Sequence, residues 1–254
     1  MIFRTKGKKL PDNLPDLIFD ENETNCPFNP NLVTTLERYH NNHPNADSRS
    51  YKLLGILFDE HLSFDLHVNH LTKKLSKSMF CIRMAKNNLN PSGLRSLYFA
   101  LVHSHLSYCP IILNCLSKTN LNRLEKVQKK AIRIITKSKY NAHTAPLFLE
   151  NRILPIDKII KMAKLNFMHS IYYDYAPRSF QQVWTRNIDR QNEHHLRNEN
   201  DFSLPNPRLE QFKKFPIYSL PLEWNNAGVL TLYDNKITFK IALRNQLFEE
   251  ILGN

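Results

Sequence analysis

An Asn-Pro pair that interrupts a helical pattern is the feature that most constrains the fold of this chain. Before it, apolar side chains recur at spacings of three, four or seven residues and form one stripe on a helical wheel. That stripe comprises Phe64, Val68, Leu71, Leu75, Met79, Ile82 and Leu89. Ser63 can cap the start of this helix. Asn90 and Pro91 end it and begin the next, because Asn favours the N-cap and proline the first helical position.

The same periodicity predicts more helices further along the chain. The second helix should run to about Tyr108, and a third should span residues 119–136, followed by helices at 155–173 and 235–252. In the third helix the predicted inward residues are Leu121, Leu124, Val127, Ala131, Ile134 and Ile135. Residues 176–233 show little periodicity and should form a loop-rich region with short strands. Because the first three helices have short connections, we predict a three-helix bundle.

Two short apolar segments are predicted to be strands. Residues 1–3 resemble the end of a strand, and residues 51–58 form a compact apolar run around Gly55, which favours a buried strand or a hairpin arm. Residues 11–50 are rich in Asn and Pro and are interpreted as an irregular insertion. The expected fold class is therefore α+β and mostly α, with short strands, a three-helix bundle and a helical, loop-rich C-terminal region.

Positive charge is concentrated in two of the predicted helices. The chain has 254 residues and a net charge of +12. Residues 71–88 hold five bases and no acid, residues 118–140 hold eight bases and one acid, and together they account for the whole excess. Such a surface favours a polyanion, since each neutralised phosphate releases counterions. Lysines on an ordinary solvated helix face are the alternative explanation.

The chain lacks the motifs of several enzyme classes. It has five glycines, and no two of them stand close enough for a dinucleotide-binding motif or a P-loop. It contains no Asp-Asp or Asp-x-Asp pair of the kind that suits two-metal polymerases and nucleases. The pairs Asp59-Glu60 and Glu249-Glu250 are interpreted as solvated charge. We therefore predict no catalytic and no metal-binding residues.

The histidines and cysteines have ordinary explanations. His67 and His70 could bind zinc only with a further ligand, and they fall on the polar side of the first helix. The four cysteines include no CxxC pair, which favours buried free thiols. No apolar run approaches the roughly 20 residues that span a bilayer, and the N-terminus shows no secretory signal. We expect a soluble protein of the nucleus or cytoplasm, without a membrane partner.

Several segments in order carry a resemblance to a known family. They are YKLLGILFDEHLSFDLHVNHLTKKLSK, LRSLYFALVHSHLSYCP and RLEKVQKKAIRIIT, followed by LENRILPIDKI and later FPIYSLPLEWN. Together they resemble the C-terminal part of reverse transcriptases from non-LTR, Jockey-like retrotransposons. In that family a Tyr-Leu-Gly strand followed by a long helix with several lysines marks the junction of palm and thumb, and two later helices complete the thumb.

The resemblance implies a role for each part of the chain. Residues 1–59 would be a palm remnant with the insertion and a primer-grip-like strand that includes Leu54 and Gly55. Residues 60–140 would be the thumb, and residues 141–254 a post-thumb region. The thumb would hold RNA or an RNA–DNA hybrid through a basic surface. Its expected nucleic-acid-binding residues are Lys73, Lys74, Lys77, Lys126, Lys129, Lys130, Arg133 and Lys137.

The chain also departs from the family pattern. The catalytic Ala-Asp-Asp turn, an earlier metal-binding Asp, the fingers and the endonuclease would all lie upstream of Met1, so no cofactor is expected here, although the intact family enzyme would use Mg²⁺. Where many members have Gly-Trp, this chain has Asn114-Cys115. We predict a truncated reverse transcriptase fragment that binds template–primer nucleic acid, does not polymerise alone, and has the missing palm and fingers as a further partner. The alternatives are a non-catalytic helical interaction scaffold and a non-functional transposon relic.

Overall fold

The computed structural model describes residues 50–181, 183–189 and 199–253. The predicted strand at residues 1–3 and nearly all of the predicted insertion at 11–50 lie outside these residues. The chain divides into two compact units, one reaching to His70 and one starting at Leu71. Each unit is described by itself.

A β-hairpin forms the first described part of the N-terminal unit. Strand β1, Ser50–Leu53, pairs antiparallel with strand β2, Ile56–Asp59, and Leu53 lies opposite Ile56. The two residues between them, Leu54 and Gly55, have φ values of 48° and 83°. Positive φ at both central residues is the geometry of a type I′ turn, whose twist matches that of the flanking strands. The apolar run at 51–58 is therefore a whole hairpin rather than one strand, and Leu54 is 80% exposed at its tip.

A short polar turn joins the hairpin to the first helix. Asp59 is buried, and its carboxylate accepts hydrogen bonds from the Ser63 backbone N–H at 2.6 Å and from the Ser63 hydroxyl. The prediction that Asp59 is a solvated charge is wrong, because its carboxylate is buried and accepts the hydrogen bonds that hold this turn. The rings of Phe58 and Phe64 meet edge to face at 5.6 Å beside it.

The first two helices begin close to the predicted positions, but the first ends at Ala85, five residues before Asn90. Helix α1, Asp65–Ala85, buries the predicted apolar stripe as far as Ile82, whereas Leu89 lies beyond the helix and is exposed. His67, predicted on the polar side, is buried. Helix α2, Pro91–Tyr98, begins as predicted, since the Asn90 side chain accepts the Gly93 N–H at 2.8 Å.

The second helix changes its hydrogen-bonding pattern before it ends. It passes through a π-helical turn, Phe99–His103, into a short helix α3, Ser104–Leu106, two residues before the predicted end at Tyr108. Cys109 then adopts a left-handed φ of 48° ahead of Pro110. A π-turn inserts an extra residue into the helix and so rotates everything after it.

Seven further helices follow in the described chain. They are α4 Pro110–Leu113, α5 Lys118–Ile135, α6 Thr144–Glu150, α7 Ile156–Tyr172, α8 Arg178–Gln181, α9 Pro216–Asn225 and α10 Lys236–Leu252. Helices α5, α7 and α10 match predicted ones within two residues. In the region predicted to hold short strands, the described residues form only an isolated bridge, Arg186 with Phe202, besides helices α8 and α9 and three 3₁₀ turns.

Helices α5 and α7 organise the packing of the larger unit. Helix α5 contacts α2, α6 and α7, and α7 also contacts α4, α9 and α10. The core around α7 is built from Leu165, Met168, Trp224, Phe239 and Leu243, all at most 2% exposed. The described chain is mostly helical with one two-stranded sheet, which confirms the predicted α+β, mostly α class. No described helix is long and apolar enough to cross a membrane.

One buried amide ties α5 to its neighbours. Gln128 is fully buried, and its Nε2 donates to the Tyr98 hydroxyl oxygen at 3.0 Å and to the Leu154 carbonyl at 2.9 Å. Burial raises the pKa of Tyr98 to about 12. Gln128 was not among the predicted inward residues of this helix, and neither was the buried Ile132. The predicted inward residues Leu121, Val127 and Ile134 are only partly buried.

We expect Gln128→Leu to lower the free energy of unfolding by about 1–3 kcal/mol, because a buried carbonyl and a buried hydroxyl lose their partner. Tyr98→Phe removes only the hydroxyl and should cost less than Gln128→Leu. Urea unfolding followed by circular dichroism measures both. Equal stability of Gln128→Leu and the wild type would contradict this account of α5.

Candidate nucleic-acid interface

Helix α5 has one apolar face and one basic face. Leu124, Ala131 and Ile135 on one side are buried. The opposite side carries Lys126, Lys129, Lys130 and Arg133 at positions i, i+3, i+4 and i+7, which lie together on a helix. The Ser117 hydroxyl caps the helix by accepting the Asn120 N–H at 3.3 Å. Packing of the apolar face therefore directs the four cations away from the core.

These four cations differ in their partners. Lys129 forms an ion pair with Glu125 at 2.5 Å, and the Arg133 Nε donates to the Ala142 carbonyl at 2.9 Å. Lys126 and Lys130 are exposed and form no ion pair with any residue in the described ranges. Lys137, also a predicted binding residue, is exposed just after the helix. This surface therefore carries five basic side chains, and Glu125 is the one carboxylate among the described residues that pairs with any of them.

Helix α1 presents a second basic surface. Lys73 and Lys77 are exposed one turn apart, and the exposed Phe80 and Met84 continue the same face towards the end of the helix. Lys74 is also exposed but lies a quarter-turn away from Lys73. Burial and then the charge of Lys74 lower the pKa of His105 in α3, which places this lysine near α3. Among the described residues, none of the three lysines forms an ion pair.

The ends of the two basic helices meet around a cavity of about 310 Å³. Arg83 and Lys86 line it from the end of α1, and Lys130 and Arg133 line it from α5. Ile134, Ser138 and Tyr140 complete its wall, and no carboxylate does so. In the sequence, Arg83 and Lys86 stand out only as part of a charged run. Ser138 and Tyr140 carry no sequence signal of a site, because helical periodicity does not show which ends of two helices meet.

The end of α5 explains how Ser138 and Tyr140 reach this cavity. The Ser138 N–H donates to the Arg133 carbonyl at 3.0 Å, and the Lys137 N–H donates to the Ile134 carbonyl at 3.2 Å. With Lys137 at a left-handed φ of 55°, this pair of bonds is a Schellman motif. The motif reverses the chain direction after α5. The residues that follow Lys137 therefore return beside the last turn of the helix.

The lysines of α7 have a structural role, because each of them pairs with a carboxylate on another helix. Lys158 and Lys161 both pair with Glu250 of α10, the latter at 2.7 Å, and the largely buried Lys164 pairs with Glu223 of α9 at 2.7 Å. Burial alone would raise the pKa of Glu250, but its hydrogen bonds with the two lysines outweigh burial and lower it. Glu250, interpreted from the sequence as solvated charge, is thus a link between helices.

The carboxylates, histidines and cysteines of the described residues are the other candidates for chemistry. No three His, Cys, Asp or Glu side chains of the described chain lie close enough to hold a metal ion. Cys115 is buried, and burial raises the pKa of its thiol to about 11. The prediction of buried thiols is wrong for Cys81 and Cys109, which are free but exposed, and Cys26 lies outside the described residues.

Asn114 and Cys115 follow directly after helix α4. The Asn114 side-chain amide donates to the Lys214 carbonyl at 2.6 Å, and the Cys115 thiol lies 3.7 Å from the same oxygen. The Lys214 ammonium in turn donates to the Leu116 carbonyl at 3.3 Å. This pair of residues therefore attaches the loop after α4 to the segment that leads into α9.

Part of the chain is similar in sequence to a known polymerase. Over 123 residues the chain is 26% identical to the RNA-directed DNA polymerase from mobile element jockey of Drosophila funebris. The chain is similar to a reverse transcriptase. The matched part is 47% of this chain and 13% of that relative, so the chain spans far less than two thirds of the relative's length. No protein-family profile and no solved structure matches the chain.

We expect Glu250→Gln to lower the free energy of unfolding by about 1–2 kcal/mol, because it leaves two partly buried lysines without their shared partner. Glu125→Gln, the matched control on α5, should change it by no more than about 0.5 kcal/mol. Since pairing lowers the pKa of Glu250, its contribution is complete at neutral pH and is lost as the pH falls below the ordinary value of 4.5. Equal effects of the two substitutions in urea unfolding would refute the distinction between the two sets of lysines.

Proposed function

We propose that this chain is a fragment of a retrotransposon reverse transcriptase that binds template–primer nucleic acid through the basic faces of α1 and α5 and does not polymerise alone. Its ligand is RNA or an RNA–DNA hybrid. Residues 60–140 act as the thumb, and Leu54 and Gly55 at the hairpin tip act as a primer-grip-like element. Residues 1–59 and 141–254 are the palm remnant and the post-thumb region, and the palm and fingers of the polymerase are a further partner.

The observation that carries this proposal is the unequal pairing of the lysines. On α7 three successive lysines are matched by carboxylates. On α1 and α5 the exposed lysines lie within the two segments that hold the whole net charge of +12, and Glu125 is the one carboxylate that the described residues pair with them. Like charges held on neighbouring positions repel one another. A polyanion relieves that repulsion, and it gains further free energy from released counterions.

The proposed contacts are electrostatic rather than base-specific. Lysine ammonium groups on a helix face bind phosphate oxygens, which are the same along any sequence. The logarithm of the affinity should therefore fall linearly with the logarithm of the salt concentration, with a slope of about −0.7 to −0.9 for each phosphate engaged. Binding should show little preference among base sequences of equal length.

We expect the triple variant Lys126→Glu, Lys129→Glu and Lys130→Glu to lose most of its affinity for an RNA–DNA hybrid, because three phosphate contacts become repulsive. The magnitude of the salt slope should fall by about 2 to 3. Fluorescence anisotropy with a labelled hybrid between about 50 and 200 mM salt measures both quantities.

The control variant carries the same change in charge at exposed bases elsewhere, Arg208→Glu, Lys236→Glu and Lys240→Glu. These three bases form no ion pair with other described residues. The control should keep most of the affinity of the wild type. Equal losses in the two triple variants would show that only net charge matters, and unchanged affinity in the α5 variant would refute this role for α5.

A primer-extension assay tests the catalytic part of the proposal. With Mg²⁺, deoxynucleotides and a primed RNA template, we expect no DNA synthesis, because the chain has no Asp-Asp or Asp-x-Asp pair and its described residues form no metal site. A complete reverse transcriptase under the same conditions is the positive control. Metal-dependent extension by the purified chain would contradict the proposal.

A helical protein-interaction scaffold is the second candidate, and α10 carries the observation that favours it. Ile237 and Ile241 are exposed one turn apart on this helix, and Leu252 is exposed at its end. A scaffold would bind nucleic acid weakly and without salt dependence. The salt titration of the wild type therefore separates the two functions.

A further inference from the structure

The cavity between α1 and α5 combines two kinds of surface that a simple electrostatic clamp does not need. Four cations line it, and so do an aliphatic side chain, Ile134, and an aromatic ring, Tyr140. Its volume of about 310 Å³ lies at the lower end of pockets that hold small ligands. The cavity therefore has room for a group larger than a bare phosphate and smaller than an extended oligomer.

The cations of the cavity are available to a ligand. Arg83, Lys86 and Lys130 form no ion pair with any described residue. Arg133 donates its Nε–H to the Ala142 carbonyl, which fixes the plane of the guanidinium, and its terminal nitrogens donate to no residue in the described ranges. A fixed guanidinium with two free nitrogens suits the paired oxygens of a phosphate. The Ser138 hydroxyl lies 2.8 Å from the Thr136 hydroxyl and is held at the same wall.

Tyr140 supplies the other kind of surface. It is 85% exposed, the most exposed of the large apolar and aromatic side chains in the described chain, and its ring packs on no other aromatic ring among these residues. An exposed aromatic ring beside a group of cations is the combination with which proteins bind unpaired nucleotides, since the base stacks on the ring and the phosphate meets the cations. A base inside a duplex is already stacked between its neighbours and cannot use such a ring.

We propose that this cavity binds one unpaired nucleotide of the nucleic acid, with its phosphate between the cations of α1 and α5 and its base on Tyr140. The proposal deepens the function proposed above and rests on it. It makes the chain selective for a duplex with a single-stranded overhang over a blunt duplex of the same length. The basic faces hold the duplex, and the cavity holds the nucleotide next to its end.

The test compares three ligands and three variants of the full chain. The ligands are a blunt RNA–DNA hybrid, the same hybrid with a short single-stranded overhang, and that overhang with abasic residues. The variants are Tyr140→Ala, Tyr140→Phe and Lys126→Gln, whose position on α5 lies outside the cavity. Circular dichroism checks that each variant is folded, which is expected because Tyr140 and Lys126 are exposed.

We expect the wild type to prefer the overhang to the blunt hybrid, and Tyr140→Ala to weaken overhang binding about 5- to 150-fold, the range for loss of one stacked base. Blunt and abasic ligands should bind Tyr140→Ala as they bind the wild type. Tyr140→Phe keeps the ring and should keep the preference. Lys126→Gln should weaken binding to all three ligands by the same factor.

The outcomes that overturn the inference differ from those that overturn the proposed function. If the wild type binds the blunt hybrid with salt dependence but Tyr140→Ala binds every ligand as the wild type does, the nucleotide site is refuted and the electrostatic clamp stands. If Tyr140→Ala loses blunt and overhang ligands equally, the ring does not act on an unpaired base. If the wild type binds no ligand at low salt, both proposals fail.

Discussion

Helix α5 owes its orientation to a polar contact within its apolar face. The buried amide nitrogen of Gln128 donates two hydrogen bonds, which offset the cost of burying it, and the two acceptors lie on α2 and just before α7. Both bonds form at one rotation of α5 about its axis. At that rotation Leu124, Ala131 and Ile135 enter the core and the basic face points outward. The basic surface on α5 thus depends on a group that carries no charge.

Two sets of basic side chains in the same unit have different roles. The lysines of α7 meet carboxylates of α9 and α10 and hold three helices together. The cations around the α1–α5 cavity pair with no carboxylate of the described residues, and the chain accepts a left-handed residue at Lys137 where glycine is usual. That Schellman turn returns Ser138 and Tyr140 to the cavity wall. The unpaired cations and the strained backbone at Lys137 therefore lie at the place where we propose that nucleic acid binds.

Local chemistry made some elements predictable and left others hidden. The start of α2 at Asn90-Pro91 was predicted correctly because capping depends on neighbouring residues alone. Helices α6 and α9 were missed: α6 has only seven residues, and α9 contains Pro221, so each depends on packing rather than on a periodic pattern. Asp59 and Glu250 were misjudged for a related reason. Whether a carboxylate is solvated or paired depends on groups that the fold brings to it, such as Lys158 from 92 residues away.

The sequence by itself determined that the chain is mostly helical, that its charge is concentrated in two helices, and that it is similar to a reverse transcriptase over about half its length. These properties follow from local periodicity, from composition and from descent, and none of them needs coordinates. Only the tertiary structure decided that the ends of α1 and α5 meet, that α7 has its lysines paired, and that Tyr140 stands at the mouth of a basic cavity. The physical reason is that a helical pattern specifies which face of a helix is buried. The partner of that face is chosen by the packing of residues far apart in the chain.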